Sequence, residues 1–82
     1  MSESIRDKVK DVIAATLGVN LERIVDEANI FSDFYCDEFD LVELTVELEE
    51  AFKIEISDDE MDAIQDVKAL VEYVEKKLVD KG

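Results

Sequence analysis

Few residues in this chain carry side chains suited to covalent or acid–base chemistry. There is one cysteine, Cys36, and no histidine, so the remaining candidates are carboxylates. A lone cysteine without histidine excludes an internal disulfide and leaves no ligand framework for zinc or an iron–sulfur cluster. A general acid needs a pKa raised by burial in a cleft, and nothing in the pattern of carboxylates calls for such a cleft. The run Asp58-Asp59-Glu60 lacks the spaced ligands and mid-loop glycine of a calcium loop, so weak surface binding of Mg²⁺ or Ca²⁺ is the most it offers. Cys36 is a conceivable nucleophile, but the acids around it raise a thiol pKa, and a lone cysteine at a loop end usually packs as a small hydrophobe. No catalytic residue and no metal site is therefore expected, and the chain reads as a binding protein and not an enzyme.

The acids become informative once the element that positions them is drawn. Residues 37–52, DEFDLVELTVELEEAF, form an amphipathic pattern. At about 100° per residue, Asp40, Glu43, Glu47 and Glu50 fall within roughly 80°, while Leu41, Leu44, Leu48 and Phe52 make a stripe on the adjoining face. Asp37 is the expected N-cap, with Asp40 three residues on, and acids in the first turn suit the positive end of the helix dipole.

Three more helices are expected around this one. The first starts at Ser2 or Ser4, with Ile5, Val9, Val12, Ile13, Thr16 and Leu17 at three- and four-residue spacing, and stops at Gly18, where a left-handed cap wants no β-carbon. Residues 19–36 are a long connection whose apolar Leu21, Ile24, Val25, Ile30, Phe31, Phe34 and Tyr35 should anchor it to the bundle, with a turn of helix near Leu21 to Ile24. Lys53 to Ile56 reads as extended, and Ser57 with Glu60 reads as a capping box opening a short helix over 58–64. Asp66 caps the last helix, with Val67, Leu70, Val71, Val74 and Leu78 on one face and fraying after Val79. The expected architecture is all-α, a four-helix bundle with a long loop between helices one and two and a short third helix. Residues 1–82 form one domain with one small core.

Nine basic against 23 acidic residues leave a net charge of −14, which repels nucleic acid and anionic membrane surfaces. No apolar run approaches the ~20 residues of a membrane-spanning helix. A cytoplasmic location is expected, with an organelle protein that has lost its leader as the alternative. The charge is also uneven: Ile24 to Phe52 contain ten Asp or Glu residues and no Lys or Arg. Acidity can serve solubility alone, but an uncompensated run over a loop and a helix is costly in self-repulsion and favours a docking face for a basic protein patch.

The sequence resembles the acyl carrier protein family over nearly its whole length. The resemblance lies in LGV at Leu17 to Val19, the aspartate-rich approach to the second helix, DLVEL at Asp40 to Leu44, LEEAF at Leu48 to Phe52 and IEISDDE at Ile54 to Glu60. In that family the second helix opens with Asp-Ser-Leu, and the serine carries a 4′-phosphopantetheine arm that holds acyl cargo as a thioester. Here the three positions read Asp37, Glu38 and Phe39. Glu38 stands where the attachment serine is expected and, as a carboxylate, is not competent for that linkage, so no cofactor is expected on the chain as given.

The resemblance further implies docking on biosynthetic enzymes with basic patches, for which Asp37, Asp40, Glu43, Glu47, Glu49 and Glu50 are the candidates. It also implies an apolar cleft for the acyl chain. Phe39, Val42, Val46, Ile56, Met61 and Ile64 could line one, with ordinary core packing the favoured alternative and Phe39 bulky enough to fill the entrance. Three functions fit: a carrier of fatty-acid, polyketide or lipid intermediates with residue 38 replaced; a native non-carrying paralogue that regulates the same enzymes; or an acidic adaptor unrelated to acyl transfer. In each case a monomer or weakly associating chain is expected.

Screening gives the first prediction. At ~0.1 M salt the Debye length is about 10 Å, short enough to weaken repulsion between neighbouring acids. Added NaCl or millimolar Mg²⁺ should raise the melting temperature followed by circular dichroism, and a fall would contradict the account of the charge.

Overall fold

The computed structural model describes residues 4–81. Four helices make up the bundle: α1 (Ile5–Leu17), α2 (Glu38–Phe52), α3 (Asp58–Ala63) and α4 (Val67–Lys81). The expected all-α, four-helix architecture is thus the one observed.

Helix α1 begins at Ser4, whose side chain accepts from the Asp7 N–H at 3.1 Å. The alternative cap, Ser2, lies outside the described residues. The helix ends where Gly18 takes φ 67° and its N–H reaches the Ala14 carbonyl. That left-handed conformation carries no penalty for a residue without a β-carbon. Val9 and Ile13 are fully buried, with Ile5, Val12 and Leu17 packed around them.

Loop residues 19–36 cross the bundle and are stitched down by both core packing and backbone hydrogen bonds. Ile24, Ala28, Ile30, Phe34 and Cys36 are buried, while Leu21, Val25 and Tyr35, expected to anchor the loop, stand exposed. The helical turn is a 3₁₀ turn at Leu21–Arg23, capped by Asn20. The Ile30 N–H donates to the Gln65 carbonyl at 2.8 Å, the Val67 N–H to Ala28 at 3.1 Å and the Lys68 N–H to Asp26 at 3.0 Å, tying the loop to the α3–α4 connection. Within the loop, Asn29 Oδ1 accepts from the N–H groups of Phe31 and Ser32 at 2.9 Å, and Asp33 accepts from the Asn29 N–H at 2.6 Å. The Asp26 carboxylate lies 3.4 Å from Arg6 and 3.6 Å from Lys10, which holds α1 to the same loop.

Helix α2 contributes Leu41, Leu44, Thr45, Leu48 and Phe52 to the interior, so the predicted apolar stripe is the buried one. Thr45 satisfies its buried hydroxyl by donating to the Leu41 carbonyl at 2.8 Å. Lys53 is not extended: it takes φ 57° and ψ 48° as the left-handed C-cap of α2, with its N–H on the Glu49 carbonyl.

Ser57 precedes α3, but its side chain makes no cap hydrogen bond, so the expected capping box is not formed. Only the half that runs from Glu60 to the Ser57 backbone is present, and Glu60 also accepts from the Tyr73 hydroxyl at 2.7 Å and lies 3.6 Å from Lys77 on α4, charge-assisted contacts. Burial and then this hydrogen bond push Tyr73 up to about 12. Asp66 caps α4 by accepting from the Ala69 N–H at 2.8 Å, and α4 runs on to Lys81 instead of ending at Val79. Val67, Leu70, Val71 and Val74 are buried, with Leu78 packed partly against them.

Leu44 is 0% exposed at the centre of this core. Leu44→Ala removes packed methyl groups and leaves a cavity, which costs about 2–5 kcal/mol. Urea unfolding should show a loss of that size while the folded variant retains its helical signal.

Candidate functional site

The start of α2 is held by hydrogen bonds in both directions between its cap and its first turn. Asp37, extended at φ −93° and ψ −174°, caps the helix by accepting from the Asp40 N–H at 2.8 Å. The Asp40 carboxylate returns to the Asp37 N–H at 3.4 Å, closing a reciprocal capping box. Glu38 is therefore the first residue of the helix, exposed, and located by a cap on one side and by the anchored loop on the other. Residues 37–40 present three carboxylates and an aromatic ring, and no hydroxyl.

The structure divides the six acids expected on a docking face. Asp37, Glu43, Glu47 and Glu50 are exposed. Asp40 is half-buried and engaged in the cap. Glu49 points elsewhere: its carboxylate accepts from the Ile56 N–H at 2.8 Å and fixes the α2–α3 connection to the helix. Periodicity could place Glu49 off the main acidic arc, but only the fold supplied Ile56 as its partner. Glu43, Glu47 and Glu50 border the groove between α2 and α1, where Lys8, Ala15 and Thr16 form the facing wall.

The six residues considered for an apolar cleft also separate. Ile56, Met61 and Ile64 are core residues, as the packing alternative had it. Phe39, Val42 and Val46 are 83%, 53% and 43% exposed, so Phe39 fills no entrance. A small crevice of about 110 Å³ opens between α2 and α3, lined by Glu38, Leu41, Val42, Thr45, Met61 and the acids Asp58 and Asp62. Only Val42 and Met61 of the expected lining border it. Sequence reasoning missed the two acids at its edge and the exposure of Tyr35, which has φ 53° in a loop whose other aromatic residues are covered.

Cys36 is buried beside the cap, more deeply than its position at a loop end indicated. Burial, then the charges of Asp40 and Asp37, push its thiol up to about 11. It is a packed residue at neutral pH and not an activated nucleophile. Among the described residues, no group of His, Cys, Asp and Glu side chains is arranged to hold a metal ion. No helix among them is long and apolar enough to cross a membrane.

Comparison with known proteins agrees with this geometry. The family model described as a phosphopantetheine attachment site matches residues 7–74. The chain is 45% identical over 69 residues to an acyl carrier protein of Syntrophobacter fumaroxidans, covering 84% of this chain and 85% of that one. It also superposes on the crystal structure of an acyl carrier protein from Thermotoga maritima with a TM-score of 0.79 and 27% identity, over 100% of both chains.

The buried thiol yields a pH prediction. A folded-state pKa of about 11 against an ordinary 9.0 leaves Cys36 protonated until well above pH 9. Iodoacetamide should label the native protein slowly at pH 7–9 and faster towards pH 11, whereas urea-unfolded protein should already react readily near pH 9. Because the unfolded thiol ionises first, this group's contribution to stability is present below pH 9 and is lost as pH rises towards 11.

Proposed function

The chain belongs to the acyl carrier protein family, which consists of carriers and not of enzymes, and from that premise we propose that it acts as a docking scaffold in acyl transfer that is unprimed as given. The observation that carries this reading is Glu38 as the first, exposed residue of α2, in a turn without a hydroxyl. Attachment of 4′-phosphopantetheine needs a side-chain oxygen that can form the phosphodiester, and a carboxylate in its place forms an unstable mixed anhydride at best. The residues at this turn therefore do not fit the group. As the first helical residue Glu38 is electrostatically favourable, worth about 0.3–1 kcal/mol near the dipole's positive end, so the exchange of serine for glutamate spares the scaffold.

On this reading the single domain of residues 1–82 engages biosynthetic enzymes through the exposed acids Asp37, Glu43, Glu47 and Glu50, in fatty-acid, polyketide or lipid synthesis and in the cytoplasm. A replaced carrier residue and a native paralogue that regulates the same enzymes share this behaviour. Rim charges of this kind act mainly on the association rate and its salt dependence.

Two experiments test it. Incubation with coenzyme A, Mg²⁺ and a permissive phosphopantetheinyl transferase should leave the mass of the chain unchanged, while Glu38→Ser should gain the mass of the arm. Modification of the unmutated chain, mapped by peptide mass to Ser32, Cys36 or another residue, would overturn the unprimed state. Separately, Glu43→Lys and Glu50→Lys should weaken binding to a ketosynthase, acyltransferase or phosphopantetheinyl transferase at unchanged helicity. Binding that survives both reversals would remove the docking face.

A further inference from the structure

Helix α3 has little stability of its own. At six residues it is too short to persist alone, and the Ser57 side chain makes no cap hydrogen bond to start it. Met61 and Ile64 are buried and anchor it to the core. A polar attachment to α4 adds to this: Glu60 accepts from the Tyr73 hydroxyl at 2.7 Å and lies 3.6 Å from Lys77 Nζ, which itself stands 5.6 Å from the centroid of the Tyr73 ring. Tyr73 and Lys77 are one turn apart on α4, so a single helix face presents both donors. Burial and then Glu60 push Tyr73 up to about 12, which keeps the hydroxyl protonated as the donor.

The other face of α3 turns towards α2. Asp58, Met61 and Asp62, at three- and four-residue spacing, form one wall of the crevice of about 110 Å³, and Glu38, Leu41 and Thr45 stand on the wall across from them. Glu60 is two residues from both Asp58 and Asp62, which at about 100° per residue puts it on the far side of α3. Three carboxylates and no cation line the crevice. Their repulsion pushes α3 away from the start of α2.

We propose that α3 is a latched flap over this crevice: the Glu60–Tyr73–Lys77 cluster fastens it to α4 against the outward push of Glu38, Asp58 and Asp62, and release of the cluster lets α3 swing off α2 and uncovers Leu41, Thr45 and Met61. The Lys77 and Glu60 side chains are 33% and 50% exposed, so the latch is a weak one and its release is a local event and not an unfolding of the bundle. Glu38 then acts on α3 through its charge, whether or not the acids of α2 dock on a partner.

Native-state hydrogen exchange followed by NMR reads the flap. The Met61 N–H donates to the Ser57 carbonyl at 3.0 Å and the Ile64 N–H to the Met61 carbonyl at 3.1 Å, and both exchange when α3 opens. Tyr73→Phe should speed exchange at both amides about fivefold while the amides of α1 keep the parent rate. Adding Glu38→Gln to Tyr73→Phe should return exchange towards the parent rate. Thr45→Cys reads the crevice itself: iodoacetamide at neutral pH should alkylate that position about fivefold faster once Tyr73→Phe is added. Cys36, buried outside the crevice, serves as the internal reference and should react at an unchanged rate. Exchange at Met61 and Ile64 that ignores Tyr73→Phe would overturn the latch, and failure of Glu38→Gln to reverse the effect would overturn the repulsion it opposes. Acceleration shared equally by α1 and α3, or by Cys36 and Thr45→Cys, would mean general destabilisation in place of a flap and would overturn the proposal too. The exchange measurement needs no change at Thr45, so it decides the matter even where Thr45→Cys does not fold.

Discussion

Everything presented at the start of α2 depends on how the loop of residues 19–36 is fastened. A connection of this length is entropically expensive to order, and it holds because Ile24, Ala28, Ile30, Phe34 and Cys36 are buried and three backbone hydrogen bonds run from its middle to residues 65–68. Through Asp26, which faces Arg6 and Lys10, the same loop also grips α1. The loop delivers the chain to Asp37 in the extended conformation an N-cap requires. A core cavity or a weakened stitch between loop and α3–α4 connection would therefore be felt at a surface that touches neither.

The acids of the chain share a charge but not a task. Asp26, Asp33, Asp40, Glu49, Glu60 and Asp66 are engaged with ion-pair partners, backbone N–H groups or a tyrosine hydroxyl, and so serve as joints of the fold. Asp37 belongs to both groups, since it caps α2 and remains exposed. Glu43, Glu47 and Glu50 are exposed and border the α1–α2 groove. Lys8 and Lys53 line the same groove as Glu47 and Glu50 and offset part of their mutual repulsion, and on the proposed docking role the remaining field is what a basic surface would find from a distance.

On the proposed reading the chemistry of this surface is recognition. The only thiol is buried and raised to about 11 by its surroundings, and residues 37–40 at the start of α2 carry three carboxylates and no hydroxyl. What remains accessible is an acidic helix that also exposes Phe39, Val42 and Val46.

The bundle was legible in the sequence because its signals are local. Three- and four-residue apolar spacing, Gly18 after the first helix, the Asp37–Asp40 pair and Asp66 before the last helix each act within one or two turns, and each reappears in the structure. The family resemblance was equally open, since it rests on short motifs. Features that depend on distant neighbours were not legible. Composition could not tell that Ile24 and Phe34 turn inward while Leu21, Val25 and Tyr35 turn out, because all are apolar residues of one loop and only the packed bundle sorts them. Nor could it tell that Glu60 would take Tyr73 on α4 as a partner, or that Glu49 would leave the acidic face for the Ile56 N–H. A charged side chain follows the strongest donor within reach, and which donor lies within reach is fixed only when the helices have packed.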